Sequence, residues 1–472
     1  MTQQFVGQSL DHWSMQFGDR VALSNGSNVV CWHELLQNVK RLAGHLEPAG
    51  AVALELADPI ELATAFLAVV RAGGRALVYD PSWSLYQRAQ LGSQLHPTTT
   101  LDSAGLQQRL ADASGPIDAT HRPAATDPFY VGFTSGSTGL PKGYRRHHAS
   151  WLNSFDVSQQ LFDFTQNDVV MAPGSLATSL HLYGVLQALQ AGIRVTLVSR
   201  FQPRSVLEEM REQNVTVLYS TPTQLQLLLQ ASQRRSGSAL TQVRHLIVSG
   251  SKWSQHTRHA IKQLFPNARL TEFYGTSEMS FVSLRNDTQD APETSVGRPV
   301  PGVDIRIGEH PDRPLSTGEV GRIWVRSPLL FDGYECGGGE ETRRHGPWLT
   351  VGDHGYLDQA GWLYLAGREK RMIVSSGFNF YPEEMELWLA QLPGVQHAAV
   401  VGLPDALRGQ RIEACISSNR AITDAELLQH CAERFPIHQC PRTWHRLADW
   451  PITSSGKTDF NQLKAQLMAV SQ

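Results

Sequence analysis

The sequence predicts an α/β fold: a large N-terminal domain of doubly wound, mostly parallel sheets with a small β-barrel-like subdomain, and a small mobile α+β domain at the C-terminus. Three observations support this. Up to about Ala291, short β-branched apolar runs alternate with amphipathic helical segments, as in parallel sheets covered by helices. Beyond it, Gly and Pro punctuate short alternating segments. From about Lys370, strand and helix patterns return over roughly a hundred residues, enough for a compact domain.

The strands predicted for the large domain are short, apolar and rich in β-branched residues. They are Ala51–Leu56, Arg75–Tyr79, Phe129–Thr134, Arg194–Val198, Val215–Ser220, Arg244–Ser249 and Leu270–Tyr274. The helices between them carry apolar residues at three- and four-residue spacing. They are Ile60–Ala72, Leu180–Ala191, Ser205–Gln213, Thr223–Gln233 and Gln255–Leu264.

Two smaller units follow, so the predicted domains are 1–369, with a β-rich subdomain at about 292–369, and 370–472. The β-rich part has candidate strands at Val303–Ile307, Gly321–Val325 and Trp362–Ala366. The last part has candidate strands His397–Val401 and Ile412–Ser417 and candidate helices Pro382–Gln391 and Thr423–Glu433. Gly-rich Cys336–Gly339 predicts a mobile surface loop, and polar, weakly periodic Ala104–Asp127 predicts a similar segment.

Composition places the chain among ordinary globular enzymes of the cytoplasm. It has 472 residues, 41 Lys plus Arg, 44 Asp plus Glu, a formal charge of -3 and 41% hydrophobic residues. This balance lacks the excess of basic residues found in nucleic-acid-binding proteins and in proteins that attach to anionic membranes.

The most apolar stretch, Ala51–Val78, is broken by charges, a proline and a glycine pair, so no membrane span is expected. Met1–Trp13 shows no secretory pattern. Five scattered cysteines without a Cys-x-x-Cys pair predict buried thiols.

A candidate phosphate-binding loop follows the predicted strand that ends at Thr134. Hydroxyls, glycines and one lysine come in close succession, in the order Ser135-Gly136-Ser137-Thr138-Gly139-Leu140-Pro141-Lys142-Gly143. Glycines let backbone N–H groups approach an anion, hydroxyls donate to its oxygens, and lysine neutralises its charge. A Ser/Gly surface loop is the plain alternative, which the buried strand and the closing Pro-Lys-Gly disfavour. The spacing is not that of a Walker A loop.

A second Gly-Lys-Thr, at Gly456-Lys457-Thr458, tests the P-loop alternative. A Walker A loop needs a glycine five residues before Gly456, and that residue is Pro451. Only 14 residues follow Thr458, too few for the sheet of a P-loop NTPase. Lys457 therefore either serves a site built by other segments or is an ordinary surface lysine.

The loop from Phe133 to Gly143 resembles the signature loop of the adenylate-forming superfamily of acyl-CoA synthetases, adenylation domains and luciferases. Further segments resemble its other motifs in the same order along the chain. They are Tyr274-Gly275-Thr276-Ser277-Glu278, Gly318-Glu319, Gly333-Tyr334, Gly352-Asp353, Gly367-Arg368-Glu369-Lys370, Gly377-Phe378-Asn379, Pro382–Glu386 and Pro451–Lys457. The resemblance covers the chain from about Phe133 to Lys457, and an ordered series of this kind is highly specific.

The resemblance implies an ATP-dependent acid–thiol ligase. A carboxylate attacks the α-phosphate of ATP, giving acyl-AMP and pyrophosphate, and the thiol of CoA then displaces AMP. The alternative acceptor is the phosphopantetheine of an acyl carrier protein. A third hypothesis is an inactive nucleotide-binding scaffold, which the presence of Lys142, Glu278, Asp353 and Lys457 argues against.

The resemblance also implies roles for individual residues. The phosphates of ATP are expected at Thr134, Ser135, Gly136, Ser137, Thr138, Gly139 and Lys142, and the adenine at Ser249, Gly250, Ser251 and Tyr274. Gly275, Thr276 and Ser277 are expected to be further nucleotide-binding residues. Glu278 is expected to bind Mg²⁺, while Asp353 and Arg368 bind the ribose hydroxyls. Lys457 is expected to stabilise charge on the α-phosphate during catalysis.

Two further assignments concern the acyl pocket and the domain hinge. His181 resembles the His-x-x-Gly residue near the acyl pocket, although a core histidine is an equal alternative; Lys370 lies at the hinge position. Ser175–Gly184 contains no acid that could bind a substrate ammonium, so a fatty or aromatic acid is favoured over an amino acid. Four residues depart from the family pattern: Ser277 replaces the usual Thr but keeps a hydroxyl, Arg371 stands near the hinge where an acid is usual, Val374 stands where Lys or Asn often occurs, and Phe460 stands where a basic residue often follows the catalytic lysine.

Overall fold

The computed structural model describes residues 3–112, 118–119, 121–134, 140–234, 238–250, 255–375, 378–405, 408–452 and 458–470. The helices are α1 (Leu10–Phe17), α2 (Trp32–Gly44), α3 (Pro59–Arg71), α4 (Leu85–Leu95), α5 (Ser103–Ala111), α6 (His148–Phe162), α7 (Ser179–Gln190), α8 (Pro203–Glu212), α9 (Pro222–Gln233), α10 (Gln255–Leu264), α11 (Pro382–Leu389), α12 (Asp424–Ala432) and α13 (Phe460–Val470). A 3-10 turn covers Glu369–Arg371.

The strands of the large domain precede residue 300. They are β1 (Val21–Asn25), β2 (Asn28–Cys31), β3 (Ala51–Leu54), β4 (Arg75–Val78), β5 (Thr99–Leu101), β6 (Pro128–Thr134), β7 (Lys142–His147), β8 (Val169–Met171), β9 (Arg194–Thr196), β10 (Val217–Ser220), β11 (His245–Val248), β12 (Arg269–Thr276), β13 (Ser280–Asn286) and β14 (Arg298–Pro299).

The later strands build the smaller units. They are β15 (Asp304–Ile307), β16 (Gly321–Arg326), β17 (Gly333–Cys336), β18 (Arg343–His345), β19 (Trp348–Thr350), β20 (Asp353–Leu357), β21 (Leu363–Arg368), β22 (Ile373–Ser375), β23 (Phe378–Phe380), β24 (Val395–Asp405), β25 (Gly409–Ser418) and β26 (Thr443–Arg446).

Two sheets with parallel centres form the large domain. One follows the order β14-β13-β12-β11-β10-β8-β9-β1-β2, with parallel pairing from β12 through β1. The other follows β17-β7-β6-β4-β3-β5, with parallel pairing among β3, β4, β5 and β6. Antiparallel strands lie at both edges of the first sheet and at the β17 edge of the second, and helices connect the consecutive parallel strands. The predicted fold class is confirmed.

Local sequence signals set where the connecting helices begin. The side chain of Asp58 accepts hydrogen bonds from the N–H groups of Ile60 and Glu61, and Pro59 occupies the first turn of α3. Thr221 and Gln224 form a reciprocal capping box at the start of α9. These caps satisfy backbone donors that a helix start leaves free, so α3 and α9 begin within one residue of the predicted position.

The β-rich segment and the C-terminal segment form separate sheets. The first follows β18-β19-β16-β20-β21 with β15 added to β16, and its pairing is antiparallel. The second contains β24, β25 and β26, and its two buried apolar clusters draw their residues from Ile373 onward. The apolar clusters therefore lie on either side of the turn at Glu369–Arg371, although the boundary at residue 370 itself remains a prediction.

Two predicted loops are partly ordered elements. The segment Ala104–Asp127 begins inside α5, whose start is capped by Asp102, and Leu106 of that helix is buried. Cys336 is the buried last residue of β17 and pairs with Gly143 of β7 instead of lying in a surface loop. In both places tertiary packing overrides a polar or Gly-rich local pattern.

Two further expectations concern the cysteines and the membrane. The five cysteines are unpaired, and all except Cys31 are buried, as predicted. Cys31 caps α2 by accepting a hydrogen bond from the N–H of Glu34. Within the described residues, none of the helices has the length and apolar character needed to span a bilayer.

Candidate active site

The predicted phosphate loop is anchored by the hairpin of β6 and β7. Thr134 and Lys142 are paired across this hairpin at the end where the predicted loop connects its two strands. Ser135, Gly136, Ser137, Thr138 and Gly139, predicted for the loop itself, lie outside the described residues. Lys142 is buried, and its Nζ donates to Oε1 of Glu341 at 2.9 Å. The hairpin therefore presents a buried ammonium group at the base of the predicted loop.

The second predicted segment follows the parallel strand β11. The Ser249 hydroxyl donates to the carbonyl of Phe273 at 3.0 Å, which ties the end of β11 to β12. Gly250 has φ +115°, a conformation that L side chains rarely adopt. Ser251 lies outside the described residues. The carboxyl end of a parallel strand is where ligands bind in open α/β sheets, so Ser249 and Gly250 occupy a suitable position.

The motif from Tyr274 to Glu278 begins on β12 and turns toward β13. A Cβ atom at Gly275 would lie 1.9 Å from the Ser280 carbonyl oxygen, so only glycine fits this crossing. The Thr276 hydroxyl is buried and has no hydrogen-bond partner among the described residues. A buried donor of this kind is costly unless a ligand or water pairs with it. The turn therefore suits an oxygen-rich ligand such as ATP.

Tyr274, Asp353 and Arg368 form a connected group. The Tyr274 hydroxyl donates to Oδ2 of Asp353 at 2.6 Å, and Nε of Arg368 lies 2.9 Å from Oδ1 as an ion pair without hydrogen-bond geometry. Asp353 and Arg368 pair across β20 and β21. Burial, followed by the charge of Asp353, raises the pKa of Tyr274 well above its usual value. The structure brings together the acceptor and donor predicted for the ribose.

Glu278 is buried, and its carboxylate Oε1 accepts a hydrogen bond from the hydroxyl of Tyr334 at 2.8 Å. Burial and the charge of Glu278 raise the pKa of Tyr334, so this hydroxyl keeps its proton. Lys142 Nζ lies 5.6 Å from the centre of the Tyr334 ring. A carboxylate held in this way is a suitable hard oxygen ligand for Mg²⁺, and it lies near the lysine predicted to bind phosphate.

Glu341 joins two of the predicted residues. Its Oε1 atom lies 2.9 Å from Lys142 Nζ and 2.7 Å from Lys370 Nζ. Although burial acts to raise the pKa of Glu341, the hydrogen bonds from Lys370 and Lys142 hold it below the usual value. The base of the predicted phosphate loop and the predicted hinge therefore share one carboxylate. Sequence reasoning missed Glu341 because it follows a Gly-rich stretch that predicts a surface loop.

His181 lies in the first turn of α7 and is buried. Its Nδ1 is 2.7 Å from the Thr178 hydroxyl, and its Nε2 is 3.3 Å from Oε1 of Gln224. Burial lowers the pKa of His181 to about 4, so the imidazole is neutral at neutral pH. Both ring nitrogens already have partners, which fits a role in shaping a pocket better than one in proton transfer.

The predicted catalytic residue Lys457 lies outside the described residues, but both ends of its segment are described. Ile452 and Thr458 form an isolated β-bridge, and Nε1 of Trp450 donates to the Thr458 hydroxyl at 3.1 Å. The Asp459 N–H donates to the Pro451 carbonyl at 2.9 Å. The backbone on both sides of Lys457 is therefore held together.

Among the described residues, one group of three side chains has the geometry of a potential metal site: His310, Asp312 and His345. All three are exposed, and Asp312 also faces Arg306 at 3.9 Å. Glu278, the predicted Mg²⁺ ligand, does not belong to this group.

Comparison with known proteins agrees with this geometry. Residues 10–335 match the model of the family described as AMP-binding enzyme, and residues 384–457 match its C-terminal domain. The chain belongs to the AMP-binding enzyme family. A curated relative from Bacillus subtilis strain 168, an uncharacterized acyl–CoA ligase called YhfT, is 33% identical over 476 residues, 95% of each chain.

More distant proteins resemble this AMP-binding enzyme over most of their length. The 2-succinylbenzoate–CoA ligase of Arabidopsis thaliana is 26% identical over 396 residues, covering 75% of this chain and 70% of the relative. The solved structure of O-succinylbenzoate coenzyme A synthetase from Bacillus subtilis in complex with AMP superimposes with a TM-score of 0.87. It covers 98% of both chains at 23% identity, a level that supports the fold alone.

Proposed function

We propose that this AMP-binding enzyme is an ATP-dependent acid–CoA ligase, which activates a fatty or aromatic carboxylate as acyl-AMP and transfers the acyl group to CoA. The observation that carries the proposal is the series of contacts linking separate motifs. The Lys142 side chain lies 5.6 Å from the centre of the Tyr334 ring, and the Tyr334 hydroxyl donates a hydrogen bond to Glu278. In the same segment as Glu278, the Tyr274 hydroxyl donates a hydrogen bond to Asp353. The site therefore suits a nucleoside triphosphate, because it combines a lysine for the phosphates, a carboxylate for the metal and a pair of residues for the ribose.

In the first step, the residues of this site bind ATP and compensate charge at its phosphates. Lys142 and the loop from Thr134 through Gly139 hold the phosphates, and Glu278 binds Mg²⁺, which neutralises phosphate charge when bound. Asp353 and Arg368 hold the ribose, so the α-phosphate has a fixed position for attack by the carboxylate. Lys457 stabilises the charge that develops during that attack.

The acyl substrate is proposed to be an apolar carboxylic acid. The segment Ser175–Gly184 carries no acidic residue, and burying a substrate ammonium group there without a counter-charge would cost several kcal/mol. His181 is neutral and cannot bind a second substrate carboxylate by charge. We infer that it shapes the acyl pocket through its fixed hydrogen bonds with Thr178 and Gln224.

The second step is proposed to need a rotation of the C-terminal domain, 370–472, about Lys370. Lys457 serves the adenylation step, and the segment around Gly377 serves the thiol step, so different faces of this domain must meet the site in turn. CoA is the proposed acceptor because the similar ligases are named for CoA. Loading of an acyl carrier protein, the alternative acceptor, is not favoured.

One experiment tests the proposal and its alternatives. Purified protein is given ATP, Mg²⁺ and a panel of fatty, aromatic and amino acids, and pyrophosphate release is measured with CoA, with holo acyl carrier protein, or with no acceptor. We expect pyrophosphate, AMP and an acyl-CoA thioester from an apolar acid. Preferential acylation of the carrier protein would contradict CoA as acceptor. Absence of pyrophosphate with every acid, together with ATP binding, would support the scaffold hypothesis.

A further inference from the structure

Arg146 is a fully buried arginine on strand β7, four residues after Lys142. Its Nη1 donates to the carbonyl oxygens of Ser277 and Glu278, both at 3.2 Å. Its Nη2 donates at 2.6 Å to the Ser280 hydroxyl and at 2.6 Å to the carbonyl oxygen of Leu329. The guanidinium group therefore holds the turn that carries Glu278 at three separate points.

This placement is expensive for an arginine. The four acceptors are neutral, and Nε of Arg146 is buried without a partner among the described residues. Burial lowers the pKa of Arg146 to about 10, which still leaves the group charged at neutral pH. An apolar side chain would fill a buried strand position at lower cost. The donors of Arg146 must therefore serve the turn that they contact.

The turn needs such support because its backbone is strained. Ser280 has φ +57°, a left-handed conformation that is uncommon for a residue other than glycine. Gly275 passes so close to the Ser280 carbonyl that no side chain fits. The carbonyl groups of Ser277 and Glu278 turn inward to Arg146, while the Glu278 carboxylate reaches Tyr334. Without Arg146, the Ser277 carbonyl would lose this donor and the Glu278 carbonyl would keep only the N–H of Phe331 at 2.8 Å, so the turn would favour another backbone path.

We propose that Arg146 is a positioning residue for the metal-binding carboxylate of Glu278, fixing the backbone of the Ser277–Ser280 turn from within the core. The inference rests on the proposed role of Glu278 in Mg²⁺ binding. Strand β7 then joins two parts of the ATP site, because Lys142 at its start faces the phosphates and Arg146 near its end holds the turn of the metal ligand.

The test compares Arg146→Gln with Arg145→Gln. Arg145 is the neighbouring residue of the same strand, is 39% exposed, and faces Asp332 and Glu335 at 3.7 and 3.5 Å instead of the turn. We expect the Mg²⁺ concentration for half-maximal pyrophosphate release to rise about 10- to 100-fold in Arg146→Gln, the range for losing a residue that orients a metal ligand. It stays within about twofold of wild type in Arg145→Gln. A folded Arg146→Gln protein with wild-type Mg²⁺ dependence overturns the proposal.

A double-mutant cycle with Glu278→Gln separates positioning from a general loss of structure. If Arg146 acts through Glu278, Arg146→Gln adds little to the Mg²⁺ requirement of Glu278→Gln; full additivity contradicts the proposal. Should Arg146→Gln fail to fold, Arg146→Lys and Ser280→Ala replace it, each removing only part of the contacts. Both must raise the Mg²⁺ requirement, and a wild-type requirement in either folded variant overturns the inference.

Failure of the proposed function can be recognised separately. Mn²⁺ binding in the presence of ATP is followed by electron paramagnetic resonance, without any turnover. Weaker Mn²⁺ binding in Arg146→Gln than in Arg145→Gln supports the positioning role even if no acid is activated. Equal binding in the two variants rejects it, whatever the activity of the wild type.

Discussion

Lowering the pH from 7 to 5 is expected to destabilise the protein through its buried neutral histidines, and His181 offers the sharpest test. Burial lowers its pKa from the ordinary 6.5 to about 4. In the unfolded chain the imidazole takes up a proton as the pH falls through 6.5, whereas in the folded protein it remains neutral until about pH 4. The unfolded state therefore binds more protons between these values, and stability that is complete above pH 6.5 is lost toward pH 4.

The size of the effect follows from the two pKa values. At pH 5 the solution is about 1.5 units below the unfolded pKa and still above the folded one, and each unit corresponds to about 1.4 kcal/mol. His181 should therefore contribute a loss of about 2 kcal/mol between pH 7 and pH 5. His148 and His245, with pKa values lowered by burial to about 3 and about 4, act in the same direction in wild type and variant alike.

The assay is urea unfolding of wild type and His181→Gln at pH 7, 6 and 5. Glutamine is polar but does not titrate, so the variant should lose about 2 kcal/mol less than wild type over this range. His33→Gln is a matched His-to-Gln control, because His33 is exposed on α2. Parallel pH curves for wild type and His181→Gln would refute the reasoning.

Three further predictions concern the proposed reaction. Lys457→Ala should reduce acyl-AMP formation by about two to three orders of magnitude. Thioester formation from supplied acyl-AMP should be much less affected. An equal loss in both half-reactions would contradict a role for Lys457 in the adenylation step. Glu278→Gln keeps the shape but removes the charge that binds Mg²⁺, so a Mg²⁺ titration of pyrophosphate release should show a higher requirement; an unchanged requirement rejects the assignment. Lys370→Pro fixes φ near -65° and should slow thiol transfer far more than adenylation, with Lys370→Ala much milder; wild-type rates for both steps in a folded Lys370→Pro protein argue against this hinge.

Local patterns predicted the parallel core well because its elements are specified locally. The helix predicted at Gln255–Leu264 is observed with the same bounds, and β6 differs from its prediction by one residue. Local patterns do not predict which distant segments pair in a sheet. The hairpin of β1 and β2 extends the sheet by joining β9, some 170 residues later, and nothing in the local pattern of Val21–Asn25 indicates that partner.

The site shows the same division between local and tertiary information. The resemblance to the family motifs identified Tyr274, Asp353 and Arg368, and the structure brings them into contact. Arg146 could not be predicted, because its role depends on a turn more than 130 residues away, and an arginine beside Arg145 in a strand suggests an exposed position. A side chain acting through tertiary contacts leaves no periodic signal in its own segment.

Two of the departures from the family pattern, Arg371 near the predicted hinge and Phe460 after the predicted catalytic lysine, are in contact. The Arg371 guanidinium lies 3.6 Å from the centre of the Phe460 ring and bonds with the Glu386 carboxylate at 2.5 Å. An arginine over an aromatic face is attracted by the ring quadrupole, so this pair can replace the usual acid and base with another favourable contact. Each residue alone appears as an exception in the sequence, but together they link α13 to the end of the turn at Glu369–Arg371.

The ion pairs around Lys370 are compatible with the proposed hinge at this position. Lys370 is 46% exposed, so its ion pair with Glu341 is screened by solvent and contributes about 0–1 kcal/mol. Lys142 is only 11% exposed and pairs with the same carboxylate, where losing the partner is far more costly because an uncompensated buried charge remains. If the C-terminal domain rotates as proposed, we expect Glu341 to stay with Lys142 when Lys370 leaves, so the buried lysine would keep its counter-charge. The contact between Glu341 and the proposed hinge residue would then be the weak one, and the contact with Lys142 the strong one.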